Sequence, residues 1–142
     1  MKEQEIEAAA QELERLRMQL ENLNRQDELI QVTLEEYIRA RQALDELKDK
    51  KEGEEILVPV GANCWVHAKL GKIDKGIASI GSNVAVGQKL GDIIERLDTQ
   101  LVEIRKADTE LSGKITKVES RARDLSVMLQ DVYDRQGSGQ SR

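Results

Sequence analysis

The stretch Glu55-Ile56-Leu57-Val58-Pro59-Val60-Gly61-Ala62-Asn63-Cys64-Trp65-Val66-His67-Ala68-Lys69-Leu70 reads as a β-hairpin. Two runs rich in β-formers flank a Gly/Asn turn. Pro59 has no N–H for a ladder, so an edge position or a bulge is expected there. A second hairpin follows, with Gly76-Ile77-Ala78-Ser79-Ile80 and Val84-Ala85-Val86 around Gly81-Ser82-Asn83. A lone two-stranded hairpin is marginal in water, and its open edges are templates for pairing. The chain offers few other strands. Completion of the sheet by other subunits is therefore expected. The candidate oligomerisation residues are Ile56, Val58, Val60, Trp65, Val66, Ile77, Ile80, Val84 and Val86.

Working outward, the flanks are helical. On the N-terminal side Ile6, Ala9, Leu13, Leu16, Leu20, Leu23, Asp27, Ile30, Leu34, Tyr37, Arg41, Leu44 and Lys48 alternate steps of three and four. On the C-terminal side the same alternation runs through Leu90, Ile94, Leu97, Leu101, Ile104, Asp108, Leu111, Ile115, Val118, Ala122, Leu125, Leu129 and Val132. Unbroken 3-4 spacing over about six heptads is the signature of a coiled-coil helix. The two seams match in length and the connector is short, which predicts an antiparallel pair. The expected organisation is an N-terminal helix over 1–52, hairpins over 53–89, a second helix over 90–135 and a flexible tail over 136–142. Asp27, Arg41, Lys48 and Asp108 are polar seam positions. They either set the register or reach water from the seam edge.

Composition agrees with this division. Aromatic residues are only 2% of the 142, with no Phe, so an ordinary compact core is excluded. The middle segment holds the only proline and six of the ten glycines. The formal charge is −5, without a basic block, which disfavours general nucleic-acid binding. No apolar run reaches the roughly 18 residues of a membrane span. The polar, acidic start Met1-Lys2-Glu3-Gln4-Glu5 predicts no secretory signal, and the single cysteine predicts a reducing compartment, so a cytoplasmic location is expected.

Cys64 and His67 form a C-x-x-H half-site, but zinc takes at least three protein ligands and this chain has one Cys and one His. Residues i and i+3 of a strand also point to opposite faces. No metal or cofactor is expected, no catalytic group is identified, and the carboxylates read as solvated helix faces. Gly81-Ser82-Asn83-Val84-Ala85-Val86-Gly87-Gln88-Lys89-Leu90 faintly resembles half of a lipoyl or biotinyl domain, yet the rest of such a domain and its hairpin lysine are absent.

A long helix, two hairpins and a second long helix resemble the α-class subunit of the prefoldin family. Ile56-Leu57-Val58-Pro59-Val60-Gly61-Ala62 with Cys64-Trp65-Val66-His67-Ala68-Lys69 resembles the family's first hairpin, and Gly81-Ser82-Asn83-Val84-Ala85-Val86 its second. Cys64-Trp65 departs from the residues more familiar there. The resemblance implies an α+β chain: a long antiparallel two-helix coiled coil whose two β-hairpins join an oligomeric β-barrel body. It implies assembly of two such chains with four β-class subunits. It implies an ATP-independent chaperone that holds unfolded polypeptides at the coiled-coil tips and passes them to a group II chaperonin. No phosphate-binding loop of the GxxxxGK[ST] kind is present in the sequence.

In an antiparallel hairpin both termini meet at one end. Ala9 and Ala122 are small knobs, so this tip is expected to be the loosest part of the coil. The candidate client-binding residues are Ile6, Leu13, Leu16, Leu125, Met128, Leu129 and Val132, with the flexible thioether of Met128 suited to varied partners. The alternative role for each is to close the coil. The rival function class is a coiled-coil scaffold or tether that assembles through its hairpins without chaperone activity.

Overall fold

The computed structural model describes residues 2–140. Helix α1 spans Glu3–Lys48, followed by strands β1 (Glu55–Gly61), β2 (Cys64–Lys69), β3 (Lys75–Gly81) and β4 (Val84–Lys89), and helix α2 spans Leu90–Gln140. The chain is thus an antiparallel two-helix coiled coil with two hairpins between the helices. Two compact units are present, one formed by Met1–Val32 with Arg105–Arg142 and one by Thr33–Ile104.

α1 stops at Lys48, four residues short of the boundary expected from the sequence. The reason is local. Gly53 adopts a φ of 89°, and its N–H donates to the Leu70 carbonyl at 2.7 Å while the Leu70 N–H donates to the Glu54 carbonyl at 2.9 Å. These bonds draw the chain out of the helix and fasten the base of the first hairpin. At the other end α2 continues to Gln140, five residues beyond the expected 135. Propagating an existing helix needs no new nucleus, so even a glycine-containing end can be carried along. Ser141 and Arg142 of the expected tail lie outside the described residues.

The two hairpins are copies of one design. The first ladder runs from Glu55↔Lys69 to Pro59↔Trp65 and Gly61↔Cys64. Adding 20 to every number gives the second, from Lys75↔Lys89 to Ser79↔Ala85 and Gly81↔Val84. Each turn uses the same backbone, with φ of 102°, 50° and 58° at Gly61, Ala62 and Asn63, and 103°, 50° and 62° at Gly81, Ser82 and Asn83. Positive φ at both central residues is the type I′ turn, whose twist matches that of paired strands. Asn tolerates this region, and Gly occupies the position with the largest φ. Each register shifts by one residue before the turn, at Pro59/Gly61 and at Ser79/Gly81. The bulge expected beside Pro59 is therefore present, and it recurs at the equivalent place in the second hairpin.

The unit holding both chain ends has one buried cluster: Ala9, Leu13, Leu16, Ala122, Leu125 and Leu129, with Ile6, Ala10, Leu20, Val118 and Met128 packed against it. Leu125 and Leu129 are only 3% and 5% exposed, the most deeply buried side chains described. This reverses the expectation of a loose tip. Small alanine knobs let helix axes come closer, so neighbouring leucines lose their water. Glu12 accepts from Arg121, and Asp108 accepts from Gln31 at 2.9 Å. Rising numbers on α1 meet falling numbers on α2, as antiparallel packing requires.

Every seam position inferred on α2 is buried or half-buried, and on α1 only Lys48 is exposed. Of the other polar seam residues, Arg41 and Asp108 are partnered across the helix pair and Asp27 within α1. Gln31 Nε2 lies 3.4 Å from Asp27 and 2.9 Å from Asp108, so one amide bridges two carboxylates. Arg41 Nε donates to Asp98 at 2.6 Å, and its Nη1 forms an ion pair with Asp45 at 3.0 Å. The bond to Asp98, then Asp45, raises the Arg41 guanidinium above its ordinary pKa. Gly113 interrupts neither α2 nor its packing.

Leu125→Ala should destabilise the unit carrying the chain ends by about 2–4 kcal/mol, read from thermal or urea unfolding followed by circular dichroism. Val127→Ala, on an exposed neighbour, should change stability by less than about 0.5 kcal/mol.

Candidate functional site

Two surfaces follow from this architecture, one in each unit. In the unit Thr33–Ile104 the hairpins present alternating faces. Cross-strand pairs two residues apart share a face. In the first hairpin Leu57↔His67 and Pro59↔Trp65 lie on one face, and Ile56↔Ala68 and Val58↔Val66 lie on the other. In the second, Ile77↔Gly87 and Ser79↔Ala85 lie on one face, with Gly76↔Gln88 and Ala78↔Val86 opposite.

The chain's own helices cover the Gly76 and Ala78 face of the second hairpin and only the base of the equivalent face in the first. Ile56, Ala68, Gly76, Ala78, Val86 and Gln88 are buried or half-buried. Gly76 explains how close this packing is: a Cβ there would stand 2.8 Å from Ile93 Cδ1. The equivalent position in the first hairpin is Ile56, which lines a cleft of about 620 Å³ against Ala43, Glu46 and Leu47 at the end of α1 and Lys50 just beyond it. The opposite faces are open. Trp65 is 57% exposed and Ile77 80% exposed, and Leu57 lies beside Trp65 in the same condition. Val58 and Val66 are exposed although they share the helix-side face of the first hairpin with Ile56 and Ala68, Val60 and Val84 are exposed as well, and Ile56 and Val86 are half-buried. The Ile80 backbone belongs to β3, and its side chain lies outside the described residues.

Among the described residues, no strand of the second hairpin pairs with the first. Each hairpin therefore keeps two unpaired edges as well as an apolar face. Exposed contiguous apolar surface of this kind marks an interaction site. Leu57 escaped the sequence reading of candidate residues. Its signal was period-two alternation, which sets it on the face of Pro59 and Trp65.

In the unit carrying the chain ends, Leu13, Leu16, Leu125 and Leu129 are in the buried cluster, and Ile6 and Met128 pack against it. Val132 is half-buried. The structure gathers six of these seven in one cluster, with Val132 outside it. Its edge is open as a shallow groove of about 340 Å³, lined among others by Ala10, Leu13, Arg17, Leu129 and Tyr133. Val127 and Tyr133 are exposed on this unit and were not singled out from the sequence. Neither falls on the heptad seam, and nothing else in the local pattern marks them.

The described residues contain no group of three or more His, Cys, Asp or Glu side chains that could hold a metal ion. Cys64 is exposed, with its Sγ 3.5 Å from the Ala62 carbonyl. No described helix is long and apolar enough to cross a membrane.

The profile of the family described as Prefoldin subunit matches residues 16–135. The chain belongs to the prefoldin family. It is similar to prefoldin subunit alpha of Methanococcoides burtonii, 29% identical over 119 residues, covering 84% of this chain and 86% of that one. It is 31% identical over 122 residues to prefoldin subunit alpha of Thermofilum pendens, covering 86% and 95%. Among solved structures it resembles a chain of filamentous PFD from Methanocaldococcus jannaschii, with TM-score 0.65, 24% identity and 83% and 98% coverage. It also resembles the prefoldin beta subunit from Thermococcus strain KS-1, with TM-score 0.60, 16% identity and 90% and 91% coverage. These likenesses establish the prefoldin fold, and the family is one of chaperone subunits.

Trp65 is the only tryptophan, which makes the open hairpin face directly observable. In the isolated chain its emission should be that of a hydrated indole, readily quenched by acrylamide. A blue-shifted emission resistant to quencher would mean that the face is already covered.

Proposed function

We propose that this chain is the α-class subunit of an ATP-independent chaperone that holds unfolded polypeptides and delivers them to a group II chaperonin. Its hairpins would join those of four β-class subunits and a second copy of the chain in a closed β-barrel body. The observation that carries this reading is the pair of equivalent hairpins, each with an uncovered apolar face and open edges, in a prefoldin-family chain. Closure removes sheet edges. Burial of the apolar side chains contributes roughly 25 cal/mol per Å² removed from water. Cytoplasmic residence fits the single exposed cysteine.

The coil ends are the proposed client surface. Their apolar residues close the seam in the isolated chain, so a client segment must enter the groove beside Leu13, Leu129 and Tyr133 or displace one helix from the other. Both routes keep the contact weak at any single tip. Several tips acting on one polypeptide would supply avidity through effective concentration. Charged neighbours such as Glu14, Arg17, Asp131 and Arg135 line the same unit and keep it soluble; their ion pairs are exposed and add little stability.

Removal of residues 1–12 and 124–142 should leave assembly with a β-class subunit intact, measured as mass by light scattering. It should reduce suppression of the aggregation of a chemically denatured client. Full-length chain that assembles without protecting any client would favour the scaffold reading, and unchanged protection after truncation would move client binding elsewhere.

A further inference from the structure

The free strand edges of the two hairpins are not equivalent. The Leu70 N–H donates to the Glu54 carbonyl at 2.9 Å, and at the matching place in the second hairpin the Leu90 N–H donates to the Asp74 carbonyl at 3.2 Å. These bonds set the phase of both ladders, because bonded and non-bonded pairs alternate along antiparallel strands. Glu55↔Lys69, Leu57↔His67 and Pro59↔Trp65 are then the non-bonded pairs of the first hairpin. Lys75↔Lys89, Ile77↔Gly87 and Ser79↔Ala85 are those of the second. In such a pair the backbone N–H and C=O point away from the partner strand, toward the free edge.

β3 therefore offers a donor and an acceptor at each of Lys75, Ile77 and Ser79. β1 offers both at Glu55 and Leu57, but Pro59 has no N–H to give. The matching edge of β4 is centred on Gly87, which has no side chain to pack on a neighbour. That of β2 is centred on His67, which a two-fold axis would set against a second His67. Ile77 is 80% exposed, more than any other large apolar side chain described.

The β3 edge is also self-complementary. Laid antiparallel on β3 of a second copy about a two-fold axis at Ile77, it sets Ile77 opposite Ile77 and each Lys75 opposite the other copy's Ser79. Each of these pairs exchanges both of its bonds, so every outward group finds a partner. The two β-branched side chains become neighbours on the open face. No lysine then stands opposite a lysine across the new contact, as Lys75 does with Lys89 within the hairpin. The register shift at Ser79/Gly81 ends the regular edge, so the contact runs from Lys75 to Ser79. A stable interface buries about 1,200 Å² or more, beyond what so short an edge supplies, and the pairing belongs to the assembled body.

We propose that two copies of this chain meet in that body through their β3 edges, in an isologous pairing centred on Ile77 that joins the second hairpins into one four-stranded sheet. Pro59 keeps the first hairpin from making the same contact through β1. This inference rests on the assembly reading given above and adds to it the strand by which the second copy is met.

The test uses the full chain in a Cys64→Ser background, mixed with a β-class subunit. Cα atoms of a bonded antiparallel pair stand about 5.5 Å apart, within reach of a disulfide. Under mild oxidation of the complex, I77C should link copy to copy at least about tenfold more than L57C, the matching position of the first hairpin, read on a non-reducing gel. S79P gives β3 the residue that β1 carries at the matching place, so the isolated chain should keep its circular dichroism. Combined with I77C, it should lower the linked fraction about tenfold, whereas Pro59→Ser should leave that fraction unchanged. If S79P folds poorly, the comparison of I77C with L57C decides. Equal linking of I77C and L57C, no link from I77C in a complex whose mass by light scattering holds two copies, or a link that a folded S79P does not reduce would overturn the inference while leaving the assembly reading standing. Failure of the unsubstituted chain to form any complex with a β-class subunit would remove the assembly reading and this contact with it.

Discussion

A two-stranded sheet has two free edges and two faces, and a single chain with two such hairpins cannot satisfy them all. This constraint governs the rest of the molecule. The chain solves half of the problem itself. One face of the second hairpin and the base of the equivalent face of the first are laid against its own helices, most closely where Gly76 lets Ile93 approach the backbone. The other faces, carrying Leu57 and Trp65 on one hairpin and Ile77 on the other, remain in water. The copies share register, bulge and turn, and the helix-side face is covered more fully in the second than in the first, where Val58 and Val66 stay exposed. The fold thus presents two related surfaces for other subunits.

The helices contribute in a different way. Their seam is narrow, so stability is concentrated in a few layers. In the unit carrying the termini these layers are leucine and alanine, and burial is deepest there. Further along the helices polar groups enter the seam and are bonded across it, as with Gln31 and Asp108 in the same unit and Arg41 and Asp98 in the other. Such groups give less attraction than leucine would, but a shifted register would separate them from their partners. Polar seam residues of this kind specify one alignment in a repeat where one heptad otherwise resembles the next. A seam that is tight at its end also sets a condition on client binding: the client must compete with the leucines that close it.

Much of this was legible in the residues. Heptad spacing located the helices and nearly every seam contact, because a coiled coil repeats one local rule along its length. The Gly-x-Asn turns located both hairpins. Lys48 was misplaced in the seam because the chain leaves the helix there to reach Gly53, a junction that periodicity does not encode. The burial of the tip ran against the reading of Ala9 and Ala122, since a small knob can either leave a void or bring helices together, and only the packed pair decides. Leu57 was visible in the alternation of its strand.

Hydrogen exchange measured residue by residue tests the central claim most directly. In the isolated chain, backbone amides of β1 to β4 should exchange rapidly while those of the leucine-rich seam around Leu16 and Leu125 stay protected. On addition of a β-class subunit, the hairpin amides should become at least as protected as the seam. Hairpins already protected in the isolated chain, or hairpins that stay unprotected in the mixture, would contradict an architecture completed by other subunits.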